Sequence, residues 1–252
     1  MNEACASSLF CNLWRNGNPR PTKRLYRRLM QLIIRTSKQK ARVTMMSNKL
    51  FPSKDEAELI LAWAHEQNPT PWTLHCKNAA IAAESIALKC DLDTNKAFVM
   101  GLLHDIGYHA YRNFKGETCH IYTGYELMME KGYDEVAGIC LTHSFPYKDF
   151  RAYSGTDMNC NDEEKSFIST FLSEAEYDDY DRLIQLCDCL GTAQGICIVE
   201  KRLIANVMKG TYNEFIHKNW GAYLDIKKYF DKKCNMNINN LFYDEINDDI
   251  YG

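Results

Sequence analysis

The chain has 252 residues, 46% hydrophobic and 25% charged, with a formal net charge of −3. That composition suits one medium-sized globular domain with extra termini, and no apolar run approaches the roughly 18–20 residues of a membrane span. Charge is unevenly spread: residues 1–50 carry eleven Lys and Arg against Glu3 alone, which leaves the rest of the chain acidic and argues against a specific nucleic-acid-binding body.

Residues 1–44 read as a basic N-terminal extension. Trp14 to Pro21 is polar and turn-rich, and Lys23 to Arg42 is basic, with Leu25, Leu29, Leu32 and Ile33 at helical spacing. A transit peptide or membrane-surface helix has this character. The plainer reading, a disordered extension or sequence ahead of a start at Met45 or Met46, is preferred. The apolar run Leu32-Ile33-Ile34 is too short for a secretory signal.

From Ser53 the pattern becomes helical. Ser53-Lys54-Asp55-Glu56 is a capping box opening a helix over 53–67, broken by Pro69 and Pro71. A helix over 72–90 carries His75, Ala79, Ala82 and Ile86 on one face, its small residues allowing another helix close. Asp93 caps a third, 94–106, ending at Gly107. After an irregular stretch come helices near 119–131 and 134–144, the latter stopped by Pro146. A long loop spans 145–161, followed by helices near 162–174, 180–192, 196–209 and 217–232. Residues 45–233 form the expected domain, and the Asn/Asp-rich 234–252 a loosely held tail. No alternating strands occur, so the expected architecture is all-α. The eleven Cys are scattered without a CxxC and read as reduced, buried small hydrophobes of a cytoplasmic protein.

The chemistry-bearing residues lie in or beside these apolar helices. His104-Asp105 sits in Gly101-Leu-Leu-His-Asp-Ile-Gly107; an imidazole and a carboxylate drawn into such a segment need compensation, which a divalent metal provides. His75 precedes the pair, and His120, His143 and Asp188 follow. Taken singly, each is an ordinary polar residue at a helix end. Taken together, His, then His-Asp, then a distant Asp on helices of one all-α domain resembles the HD superfamily of metal-dependent phosphohydrolases over about residues 53–230. His120-Ile-Tyr-Thr-Gly124 resembles the downstream His-x-x-x-Gly element of dinuclear members, Ile139-Cys-Leu-Thr-His143 the element bearing their fourth His, and Cys187-Asp188 the closing Asp.

The resemblance implies an HD-domain helical bundle. His75, His104, Asp105 and Asp188 would hold one divalent ion, and His120 and His143 a second, with Asp105 bridging. Fe, Mn, Zn, Co and Ni all suit such ligands. The implied reaction is cleavage of a nucleotide or other small phosphate ester by metal-bound hydroxide, with Asp105 and His104 at its centre. Arg112, Lys115, Lys148 and Arg151, in the irregular stretches flanking His120 and His143, are the expected phosphate contacts. Two departures from named branches stand out. Tyr108 occupies a place where cyclic-dinucleotide and dinucleoside-tetraphosphate hydrolases of the superfamily commonly carry a Lys, and the GYP element is missing. The same ligand set also serves mixed-valent di-iron oxygenases, which remain the alternative, with a non-catalytic ligand-binding module third. Substrate and oligomeric state are not legible.

Overall fold

The computed structural model describes residues 51–111, 118–153, 155, 159–210 and 213–246. Helices α1 (Lys54–Gln67), α2 (Trp72–Lys89) and α3 (Thr94–Leu103) lead into a 3-10 turn, Ile106–Ala110. Then come α4 (His120–Lys131), α5 (Asp134–Thr142), a short 3-10 turn at Phe150–Ala152, α6 (Asp162–Glu174), α7 (Asp179–Leu190), α8 (Val199–Met208), α9 (Ile216–Lys233) and a last 3-10 turn, Ile238–Phe242. Among the described residues there is no strand, only an isolated bridge between Gly191 and Ile196. The fold is all-α. No helix of the described residues is long and apolar enough to cross a membrane. The basic extension 1–44 lies outside the described residues.

The helix starts follow the capping chemistry. The Ser53 hydroxyl accepts from the Glu56 amide while the Glu56 carboxylate accepts from the Ser53 amide. Asp93 accepts from the amides of Asn95 and Lys96, and Asn161 with Glu164 forms a second capping box at α6. Gly132 ends α4 in the left-handed region at φ 78°, where a glycine carries no steric cost.

Helix α2 is the axis of the core. Its Ala79, Ala80, Ala82 and Ala83 are fully buried, and their small size lets α3 and α7 come close. A Cβ added at Gly101 of α3 would lie 2.8 Å from the Ala80 Cα, so glycine is required for that crossing. The crossing is antiparallel: Gly101 meets Ala80 while His104, just past the end of α3, meets His75 in the first turn of α2. On α7, Leu183, Ile184, Leu186, Cys187 and Leu190 are buried in the same cluster as Ile86. Two antiparallel pairs thus bring helix ends to one place, and the chemistry-bearing residues sit at those ends.

Three expectations are corrected. Helix α3 stops at Leu103 rather than 106, because Asp105 adopts φ −102°, ψ 17° and turns the chain into the 3-10 segment. The C-terminal stretch is not loose as far as Ile246: Ile238, Phe242 and Ile246, spaced four apart, are buried in the main core. Four cysteines are not reduced. Cys90 is joined to Cys234 and Cys119 to Cys160, with Cα atoms 5.1 and 4.5 Å apart. The buried Cys76, Cys140, Cys187, Cys189 and Cys197 are outside these disulfides, as thiols, in line with the sequence reading. The packed C-terminus gives a direct check: Phe242→Ala should cost about 3–5 kcal/mol of stability in chemical denaturation, the range for truncating a buried aromatic. A loss below 1 kcal/mol would mean that the segment contributes no core.

Candidate metal centre

Six residues from five parts of the chain meet where these helix ends converge. His75 lies in the first turn of α2, His104 caps α3, and Asp105 follows in the turn. His120 opens α4, His143 caps α5, and Asp188 lies in the last turn of α7. His75, His104, Asp105, His120 and His143 are buried, and Asp188 is partly so. All six residues expected as metal ligands are brought together.

Two triads share the centre. In the first, His75 Nε2 lies 3.0 Å from His104 Nε2 and 3.1 Å from Asp188 Oδ1. In the second, Asp105 Oδ1 lies 3.2 Å from His143 Nε2 and 3.6 Å from His120 Nε2. The other Asp105 oxygen, Oδ2, faces the first triad, 3.4 Å from His75 Nε2 and 3.5 Å from His104 Nε2. One carboxylate therefore presents one oxygen to each pair of imidazoles.

The tautomers are set from behind. His75 Nδ1 is 2.9 Å from the Gly191 carbonyl, His104 Nδ1 2.7 Å from the Gly101 carbonyl, and His143 Nδ1 3.2 Å from the Ile139 carbonyl. A carbonyl only accepts, so each Nδ1 carries the hydrogen and each neutral ring turns its Nε2 lone pair into the centre. Two lone pairs 3.0 Å apart, with carboxylate oxygens around them, repel unless a proton or cation lies among them. The donor set therefore fits divalent metal: imidazole nitrogen and carboxylate oxygen, converging and oriented by backbone acceptors. Two other His/Cys/Asp/Glu groupings occur among the described residues. One contains Cys76, whose thiol burial pushes well up and so keeps protonated; the other contains the Cys119–Cys160 disulfide.

Without metal, protons serve in its place. Burial alone would lower the pKa of His75, but hydrogen bonds to Asp105 and Asp188 outweigh it and raise it to about 9. Burial would raise Asp105, yet the charges and hydrogen bonds of His104, His143 and His75 hold it well below the usual carboxylate range; Asp188 is lowered in the same way by His104 and His75. A raised His75 stabilises the fold fully below the unfolded value near 6.5 and loses that stabilisation as pH rises through about 9. The lowered Asp105 and Asp188 contribute above the unfolded carboxylate value and lose their contribution in acid. Metal-free protein should therefore melt at progressively lower temperature between pH 6.5 and 9, whereas metal affinity should rise as the imidazole proton leaves. A melting temperature of the metal-stripped protein that is flat or rising across that interval would contradict the assignment of the proton to the cluster.

Gly107 sets the geometry of the second triad. A Cβ there would lie 1.8 Å from the His120 carbonyl oxygen and 2.7 Å from the Gly124 amide nitrogen. The 3-10 turn after Asp105 thus runs directly against the first turn of α4, and the Tyr108 ring stacks on His120 at 4.2 Å.

A cavity of about 280 Å³ opens over the centre. The basic residues expected to face it do not line it where they are described. Lys148 donates to the Ala175 carbonyl and lies 4.3 Å over the Tyr177 ring. Arg151 is paired with Asp149 through two contacts of 3.0 and 2.6 Å and lies 4.6 Å from the Phe215 ring. Arg112 and Lys115 lie outside the described residues. Among the described residues, the Lys and Arg that line the cavity are Arg202 and Lys209 of the α8 region, with Asn206 between them. Their spacing of four and three residues is a readable helical face, and Glu200-Lys201-Arg202-Leu203 is a segment whose sequence also resembles HD proteins. Of the remaining histidines, His109 packs against Trp63 and His65 pairs with Thr73, both away from the cavity lining.

An all-α domain with a buried, cation-seeking cluster of four imidazoles and two carboxylates belongs among the helical metal-binding domains. Residues 74–193, which contain all six cluster residues, match the family model of the HD domain. That stretch of the chain is similar to the HD domain. No curated protein and no solved structure matches the chain.

Proposed function

We propose that the protein is a metal-dependent phosphohydrolase acting on a nucleotide or other small phosphate ester, with two divalent ions at the centre. The observation that carries this reading is the division of Asp105, one carboxylate oxygen toward His75 and His104 and the other toward His120 and His143. His75, His104, Asp105 and Asp188 would hold the first ion, and Asp105, His120 and His143 the second. Such ions supply Lewis acidity toward a phosphoryl oxygen and acidify water near neutral pH. The chain's own part is positional. Carbonyls of Gly191, Gly101 and Ile139 hold three imidazoles in the ligating tautomer, and the buried surroundings strengthen the field at the centre. The functional unit is the body after residue 45, with the basic extension dispensable for metal binding.

The test is reconstitution with Mn, Fe, Co and Ni under argon, followed by assay on a panel of phosphate esters and nucleotides. Metal-dependent release of inorganic phosphate is expected. Oxygen consumption with a di-iron charge-transfer band, and no phosphate release, would assign the centre to oxygenase chemistry instead.

A further inference from the structure

The face of α8 that borders the cavity lies outside the stretch matched to the HD domain, which ends at residue 193. Val199 and Leu203 anchor that helix in the core, and Leu203 itself borders the cavity. Arg202 stands beside Leu203 at the inner end of this face, Asn206 lies one turn on, and the exposed Lys209 follows at the helix end. We propose that Arg202, Asn206 and Lys209 form the anion-holding wall of the cavity, and that the substrate this wall takes is a phosphate monoester in its doubly charged form. This rests on the phosphohydrolase reading above.

Three observations carry the assignment. First, Arg202 is half-buried at the cavity edge, and no carboxylate of the described residues comes within ion-pair distance of its guanidinium. The Asp188 charge acts on it at longer range and favours its charged form. A cavity-edge guanidinium with no carboxylate paired to it is available to an anionic ligand that also reaches the centre. The planar guanidinium fork matches two phosphoryl oxygens at once, which an ammonium cannot do. Second, the charge balance favours a dianion. Two divalent ions held by the Asp105 and Asp188 carboxylates would leave positive charge in surplus, and Arg202 and Lys209 on the cavity wall would add to it. A doubly charged monoester gains more from that field than a singly charged diester. Third, the cavity volume of about 280 Å³ has room for a phosphoryl group and one modest substituent. Trp72, Tyr108, Tyr153 and Tyr223 supply aromatic walls that suit a flat substituent such as a base or aryl ring.

The experiment uses full-length protein loaded with Mn and titrated calorimetrically with inorganic phosphate, metal content being measured on the same samples. Arg202→Gln is expected to keep its metals and to bind phosphate ~10- to 100-fold more weakly, the loss of a charge-assisted contact. Arg202→Lys should recover only part of that, because it restores the charge and not the fork. Asn206→Asp places a carboxylate on the wall at a half-exposed position, so it leaves the core intact and should weaken phosphate by roughly tenfold through like-charge repulsion. It decides the matter if Arg202→Gln fails to fold. Wild type should also hydrolyse p-nitrophenyl phosphate in preference to bis(p-nitrophenyl) phosphate, with the preference reduced in Arg202→Gln. Phosphate affinity within twofold of wild type in the folded variants would overturn the proposal. So would a wild-type preference for the diester, or no phosphate binding by metal-loaded wild type. Failure of the underlying reading is seen separately, as wild type that takes up no metal or releases no phosphate from any ester.

Discussion

Asp105→Ala is expected to empty the centre of both ions while leaving the helices in place. Each imidazole faces one triad, but Asp105 reaches both: Oδ1 is 3.2 Å from His143 Nε2 and Oδ2 is 3.4 Å from His75 Nε2. Its removal takes a ligand from each proposed ion and leaves four buried imidazoles without their shared anion. Metal content should fall from about two per chain to near zero, because each site loses its only common carboxylate. Metal-dependent hydrolysis should vanish with it. Helicity should persist, since Asp105 sits in the turn between α3 and the 3-10 segment and makes no side-chain capping bond. Elemental analysis and far-ultraviolet circular dichroism on one sample check both halves. Asp105→Ala that keeps full metal would remove the bridging role from the account.

Gly107→Ala should be nearly as damaging, through backbone rather than chemistry. The new Cβ would fall 1.8 Å from the His120 carbonyl oxygen, and the atoms it meets are backbone, not the end of a flexible side chain. Either the 3-10 turn moves, taking Asp105 with it, or the first turn of α4 moves and takes His120. Overpacking a close-packed site costs typically about 1–3 kcal/mol, and a backbone-on-backbone clash belongs at or above the upper end. The expected result is a loss of about 3 kcal/mol in denaturant midpoint analysis, together with loss of the ion proposed for His120 and His143. A variant with native stability and full metal would show that the turn and α4 are not locked together.

The helices and their caps were legible because they rest on local chemistry. Ser53 with Glu56, Asp93 before α3, and Gly132 after α4 each satisfy or end a helix within a few residues. The centre was legible in a different way. Each of its residues has an ordinary reading alone, and only the ordered set, matched to a family pattern, marks them as one site. Periodicity then explains why they can meet: they stand at the ends of antiparallel helices, and Gly101 lets two of those helices touch. What stayed hidden depends on distant partners. Cys90 and Cys234 are 144 residues apart, and nothing local marks either as bonded. Ile238, Phe242 and Ile246 are diluted by Asn and Asp, so composition outweighed their spacing. Lys148 and Arg151 are close to His143 in sequence but engaged elsewhere, with Ala175 and Tyr177 and with Asp149 and Phe215. Arg202, far along the chain from every histidine of the centre, borders the cavity because α8 packs beside α7.

The most direct test of the dinuclear centre is the number of ions each chain holds after anaerobic loading with ferrous iron or manganese and removal of excess. Wild type should retain about two ions per chain, and His143→Ala about one, because His143 faces only the second triad. One ion or none in wild type, or an unchanged count in His143→Ala, would contradict the account.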